Sequence, residues 1–112
     1  MRNESGPDID AITIGMLDQE LFFPPMVVFE LLCDPTLGDE KRRKLDNVDL
    51  LFIKDGFWQR AGLLRSKVVG RKRKARSIDA LIAQSCIDHN VPLITRDNDF
   101  RHYEEFGLYI II

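Results

Sequence analysis

The chain predicts an α/β fold organised around a parallel sheet. Two observations carry this. Short apolar segments, Leu21–Phe23, Val48–Ile53, Val91–Thr95 and Leu108–Ile112, alternate with longer stretches of helical periodicity, the order that produces parallel strands joined by right-handed helical crossovers. The segment Val91–Thr95 is also apolar almost throughout instead of alternating, as expected of a strand covered on both faces of a parallel sheet. With 112 residues, of which 45% are hydrophobic, one domain with one modest core is expected.

The elements follow in order. Asp8 to Gln19 places Ile9, Ile12, Met16 and Leu17 at helical spacing after Gly6-Pro7, which predicts a helix. Leu21–Phe23 is a short strand. Pro24-Pro25 opens a helix through MVVFELLC, since proline fits a first helical turn, and Asp34-Pro35 stops it because the residue before a proline avoids the helical region. Gly38–Leu45 is a short charged helix and Val48–Ile53 a strand. Phe57–Val69 is a helix whose apolar face is Phe57, Ala61, Leu64 and Val68. Ser77 is expected to cap the next helix, with Ile78, Leu81, Ile82 and Cys86 on its core face. Asn90 is placed to end that helix. Val91–Thr95 and Leu108–Ile112 are the last strands. No internal repeat is visible.

Charged residues make up 30% of the chain, which argues for a soluble protein. The net charge of −2 names no partner by itself, but its distribution is uneven. Residues 65–76 hold seven basic side chains (Arg65, Lys67, Arg71, Lys72, Arg73, Lys74, Arg76) and no acid, so the remainder nets −9. A basic strip on an acidic body is either a phosphate footprint or a solvated loop between helix ends. Cys33 and Cys86 both fall in apolar helical patterns, which predicts buried, reduced thiols. Cys86 and His89 have C-x-x-H spacing, but no second pair completes a zinc set. The polar, acidic start Met1–Asp10 does not read as a signal peptide. The apolar run Leu21–Phe29 is too short, and too rich in proline, to span a membrane.

Ser77–Phe100, SIDALIAQSCIDHNVPLITRDNDF, carries the chemistry. Asp79 lies in the first turn of a helix; Asp97 and Asp99 lie just past the following strand. In open α/β sheets, ligands bind outside the carboxyl ends of strands. Carboxylates gathered there suit Mg²⁺ or Mn²⁺, hard ions that take oxygen ligands, and metal-assisted phosphodiester hydrolysis follows as the reaction class. Each residue also has a plainer reading. Asp79 is a helix-start acid favoured by the dipole, and Asp97 caps the next turn. Glu30 either faces the site or sits on the surface, and Trp58 is a core or interface residue before it is a base-stacking platform. Acids crowded in one site would raise one another's pKa unless a cation compensates.

The segment D79-ALIA, the strand VPLIT and the following TRDNDF together resemble the C-terminal half of a PIN domain. Upstream, PPMVVFELL resembles that family's glutamate-bearing helix, with Glu30 as the acid. The resemblance spans residues 8–112 as a single domain. It implies a three-layer αβα architecture with a central parallel sheet and an Mg²⁺- or Mn²⁺-dependent endoribonuclease activity. Small PIN domains of this kind are often VapC-type toxins of toxin–antitoxin pairs. Carried over, the resemblance assigns catalytic roles to Glu30, Asp79, Asp97 and Asp99, with Asp79, Asp97 and Asp99 as metal ligands. Thr95 would orient an acid or a water. Beside this, Arg71, Lys72, Arg73, Lys74 and Arg76 would bind RNA. A cytoplasmic homodimer, met by a cognate antitoxin, is the implied setting. One departure stands out: the family's hydrophobic first strand, ending in an Asp, has no counterpart ahead of Asp8 and Asp10 in MRNESGPDID. A catalytically inactive PIN-like module that binds RNA or protein is therefore the alternative. A receiver-like phosphate-handling domain is a third reading, weakened because no lysine stands at a strand end.

Overall fold

The structure is a computed structural model that describes residues 22–111. The expected helix over Asp8–Gln19 and the matter of a strand ahead of it lie outside those residues. The chain divides into two compact units, with the boundary between Phe52 and Ile53.

The first unit contains β1 (Phe22–Phe23), α1 (Pro25–Leu32), α2 (Asp39–Leu45) and β2 (Asp49–Leu50). Pro24 holds the entry to α1 with φ −58° and ψ 135°, and Pro25 takes the first helical turn, where its missing N–H removes nothing. After α1 the chain turns at Asp34, whose Oδ1 accepts from Thr36 N at 2.9 Å and from Thr36 Oγ1 at 2.7 Å. This side-chain turn closes the segment that Pro35 prevents from continuing as helix. In α2, Asp39 and Glu40 occupy the first turn and Arg42, Arg43 and Lys44 the last, a charge order that complements the helix dipole. β1 and β2 pair in parallel, Phe22 opposite Asp49 and Phe23 opposite Leu50, and Leu51 N donates to Phe23 O at 2.8 Å. Phe23, Met26, Leu31, Leu45 and Leu51 are buried.

The second unit contains α3 (Phe57–Gly70), α4 (Ser77–Asp88), β3 (Leu93–Ile94), a 3₁₀ helix (Asn98–Phe106) and β4 (Ile110–Ile111). α3 and α4 pack on each other. The buried face of α3 is Phe57, Ala61, Leu64 and Val68, as its periodicity predicts. Gly56 enters this helix at φ +82°, a left-handed backbone that favours glycine, and a Cβ there, 2.7 Å from Arg60 Nη1, would displace the end of the Arg60 side chain. Asn90, at φ 53°, ends α4: Val91 N donates to Cys86 O and Asn90 N to Ile87 O, both at 3.0 Å, the paired bonds of a Schellman ending. β3 and β4 pair in parallel, Leu93 opposite Ile110 and Ile94 opposite Ile111. The 3₁₀ helix makes the crossover between them, and Gly107 at φ +113° ends it.

Several expectations need correction. Among the described residues, the strands, read as three to six residues long, pair over two residues each. Ser77 is the first residue of α4; the cap position belongs to Arg76, and no side chain caps the helix. Ile78 and Leu81 are half-buried, while Ala80, Ile82, Ala83 and Cys86 form the buried apolar face. Cys33 is exposed, because α1 turns it outward at the C-terminal cap; only Cys86 is buried. Trp58 is exposed on α3, its ring edge-on to Phe57 with centroids 5.0 Å apart. Its position, one residue past the buried Phe57, turns it off the helix's core face.

Candidate functional site

The start of α4 fixes the first acid. Arg76 has extended backbone angles, φ −69° and ψ 149°, and its side chain folds forward onto Asp79 in the first turn. Nε donates to Oδ2 and Nη2 to Oδ1, each at 3.1 Å. Asp79 is 2% exposed. Burial raises its pKa above the ordinary carboxylate value; the hydrogen bonds and charge of Arg76 oppose this, and the charges of Asp97 and Asp99 add to the rise. The charges of Asp97 and Asp99 thus reach the buried Asp79 carboxyl.

The end of β3 fixes the other two. Thr95, buried, gives its N–H to Ile111 O at 3.1 Å, extending the parallel ladder one step past β3. Its Oγ1 accepts from Asp97 N at 3.1 Å. Asp97 in turn caps the 3₁₀ helix, Oδ1 accepting from Asp99 N at 2.9 Å. Lys74 Nζ stands 3.3 Å from Asp99 Oδ2. The plain reading of Asp97 as a cap is thus realised, and the same bond places Asp97 and Asp99 beside one another at the carboxyl end of β3.

Tyr103 lies behind these acids. It is fully buried, and among the described residues its hydroxyl has no hydrogen-bond partner, as is also true of Ser85 Oγ. Burial pushes the Tyr103 phenol up to about 12, with Asp79 the first of the charges acting on it, followed by Arg65, Arg76 and Asp99. Sequence reasoning passed over Tyr103, although Phe100, Tyr103 and Phe106 recur every third residue in NDFRHYEEF, the period of a 3₁₀ helix.

The basic strip is exposed, and most of it pairs with acids. Arg71 Nη1 and Arg73 Nη1 each reach Glu105 at 2.8 Å, Arg71 and Lys67 stand over the Phe106 ring at 5.8 and 5.9 Å, and Arg65 Nε donates to Ala75 O at 2.8 Å. Lys72 adopts φ 58° at the apex. Of the five expected RNA-binding residues, Arg71, Arg73, Lys74 and Arg76 meet carboxylates. Arg76 and Lys74 also pair with Asp79 and Asp99, and the i, i+3 spacing of Arg76 and Asp79 was visible in the sequence. Glu30 is exposed on α1, in the first unit.

The donor set suits a hard divalent cation: it consists of carboxylate oxygens, and the mutual repulsion that helps raise Asp79 is what a cation would relieve. The side chains that now supply that compensation are Arg76 and Lys74. Among the described residues no three His, Cys, Asp or Glu side chains converge closely enough to hold a metal ion. Nor is any helix there long and apolar enough to cross a membrane.

Comparison with known proteins adds one result. The family model described as PIN domain matches residues 2–105. No curated protein matches the chain.

Proposed function

From the premise that this chain belongs to the PIN domain family, whose members are generally nucleases that use divalent metals, we propose that it is a metal-dependent endoribonuclease. The fold supports the premise: helices and small parallel sheets in mixed α/β order are consistent with a PIN fold. The three-layer αβα arrangement over residues 8–112 is part of the proposal.

The observation that carries the reading is the placing of Asp97 and Asp99 side by side at the carboxyl end of β3 by the Thr95 and Asp97 hydrogen bonds, with their charges reaching the buried Asp79. In the proposed enzyme Asp79, Asp97 and Asp99 would hold Mg²⁺ or Mn²⁺ by drawing closer together than they stand here, with Glu30 as a further acid. When bound, such an ion supplies Lewis acidity toward the phosphodiester and lowers the pKa of attacking water. The chain's own residues supply orientation. Arg76 fixes the Asp79 carboxylate, and Thr95 fixes the backbone from which Asp97 projects. The strip from Arg71 to Arg76 meets RNA phosphates, Lys72 at its apex. A role as toxin of a toxin–antitoxin pair, in a cytoplasmic homodimer, completes the proposal.

A second reading has its own observation. Arg76 already satisfies both Asp79 oxygens, as it would in an inactive PIN-like module that binds RNA or protein. Cleavage of a fluorogenic single-stranded RNA separates the two. With Mn²⁺, the enzyme reading expects cleavage that EDTA, Asp79→Asn and Asp97→Asn each abolish. Binding without metal-dependent turnover by the folded chain would decide for the module.

A further inference from the structure

We propose that the outer face of α3 is a docking surface for a partner protein's amphipathic helix, one whose apolar stripe is bordered by acidic residues. The inference stands apart from the nuclease reading and does not depend on it.

Helical spacing defines the face. Phe57, Ala61, Leu64 and Val68 turn inward, and the opposite side of such a helix is ordinarily polar. On α3 it holds Trp58, Leu63 and Val69 instead, exposed by 62%, 63% and 48%. Gly62 and Ser66 lie between them, and a Cβ at Gly62 would meet nothing within 4 Å, so a second helix can lie close against the backbone there. Trp58 is braced edge-on against Phe57. It therefore offers a large apolar area that loses little freedom on binding. The charged residues of the helix, Arg60, Arg65 and Lys67, all fall outside this stripe.

The charges select the occupant. Arg65, two turns on from Trp58, marks one border of the stripe, and Lys67, one turn on from Leu63, marks the other. Arg60 is matched by Asp88. Arg65 and Lys67 are exposed, and neither meets a carboxylate among the described residues: Arg65 Nε donates to the Ala75 carbonyl, and Lys67 stands over the Phe106 ring. An apolar stripe between two such cations is complementary to a helix that carries its own apolar stripe between acids. It is not complementary to itself. A second copy laid face to face sets Arg65 and Lys67 against their equivalents, and α3 has no acid to answer them. RNA fits less well, because Trp58 alone in the stripe has a ring on which a base can stack.

Trp58 is the one tryptophan of the chain, so its fluorescence reports on this face. The probe is a synthetic helical peptide without aromatic residues, with leucine and alanine along one stripe and glutamate on both borders; a comparison peptide has lysine in place of glutamate. Both are titrated into the wild-type chain and into Leu63→Gln, which changes an exposed residue and leaves the core intact. The glutamate peptide is expected to shift Trp58 emission to shorter wavelength, saturably. The lysine peptide should bind at least about tenfold more weakly, and Leu63→Gln should weaken the glutamate peptide about tenfold, as loss of one leucine from an interface does. An unmoved emission, equal affinity for the two peptides, or unchanged affinity in Leu63→Gln overturns the inference. So does emission already shifted without peptide at high protein concentration, together with sedimentation as a dimer that Leu63→Gln dissociates, which gives the face to a second copy. A single-stranded RNA that quenches Trp58 and displaces the glutamate peptide overturns it as well and gives the face to RNA.

Discussion

Arg60 and Asp88 join α3 to the end of α4 through two parallel hydrogen bonds, Nε to Oδ1 at 2.9 Å and Nη2 to Oδ2 at 2.6 Å. Gln84 Nε2 adds a third bond to Oδ1 at 2.8 Å, and Lys54 Nζ donates to the Asp88 backbone carbonyl at 2.9 Å. Burial pushes the Asp88 pKa up, but the bonds from Arg60 and Gln84, with the charges of Arg60 and Lys54, outweigh it and hold the group below its ordinary 3.8. Asp88→Ala is expected to destabilise the fold by roughly 1–3 kcal/mol, because it strands partners that a nearly buried carboxylate had satisfied. Thermal unfolding of the two proteins measures the difference.

The same pair predicts a pH dependence. A carboxylate whose folded pKa lies below its unfolded value contributes stability that is present above the unfolded value and lost as pH falls through the folded one. The stability gap between wild type and Asp88→Asn should thus be constant near neutrality and close below pH 3.8. Urea midpoints at a series of pH values test this. A gap that widens on acidification would reverse the sign and discard the assignment.

The Tyr103 hydroxyl, without a hydrogen-bond partner among the described residues, predicts a gain. A buried O–H without a partner loses its water and receives nothing in return. Tyr103→Phe keeps the ring, which meets Phe100 with centroids 6.3 Å apart, and deletes only the oxygen. Its denaturation midpoint should equal or exceed that of wild type, by up to about 1–2 kcal/mol in stability, with the slope unchanged. A clear loss of stability would mean that the hydroxyl has a partner.

The two thiols should separate in a labelling experiment. Cys33 is exposed and Cys86 buried, and burial pushes the Cys86 thiol up to about 12, so little reactive thiolate is present near neutrality. A thiol reagent at neutral pH should modify one site in the folded chain and two in denaturant. Cys33→Ser should leave none reactive in the folded state.

What the sequence made legible is mostly local. The face Phe57, Ala61, Leu64 and Val68 follows from a 3.6-residue period. The start of α1 follows from the fixed angle of proline, and the end of α4 from the tolerance of Asn90 for a left-handed backbone. The three acids were legible as a group because their places at a helix start and a strand end are places in a topology. The destinations of the basic strip were not. Arg73 meets Glu105 across 32 residues, and a run of positive charge does not state which acids the fold will bring to it. The Asn98–Phe106 helix was missed as well, because Phe100, Tyr103 and Phe106 recur at the three-residue period of a 3₁₀ helix and not at 3.6.

Asp97 has two roles that can be pulled apart. Its Oδ1 caps the 3₁₀ helix through Asp99 N at 2.9 Å, and the proposed reaction requires it as an anionic ligand. Asparagine keeps an oxygen acceptor at the same place and caps about as well as aspartate, whereas alanine has none and costs about 0.5–2 kcal/mol at a cap. Asp97→Asn should therefore unfold at nearly the wild-type temperature, and Asp97→Ala several degrees lower. Metal-dependent RNA cleavage should disappear in both, because the amide carries no charge. Cleavage retained by Asp97→Asn and lost only by Asp97→Ala would mean that the carboxylate matters for its hydrogen bond alone. Asp97 would then be a structural cap, and Asp79 and Asp99 would be left to hold the cation without it.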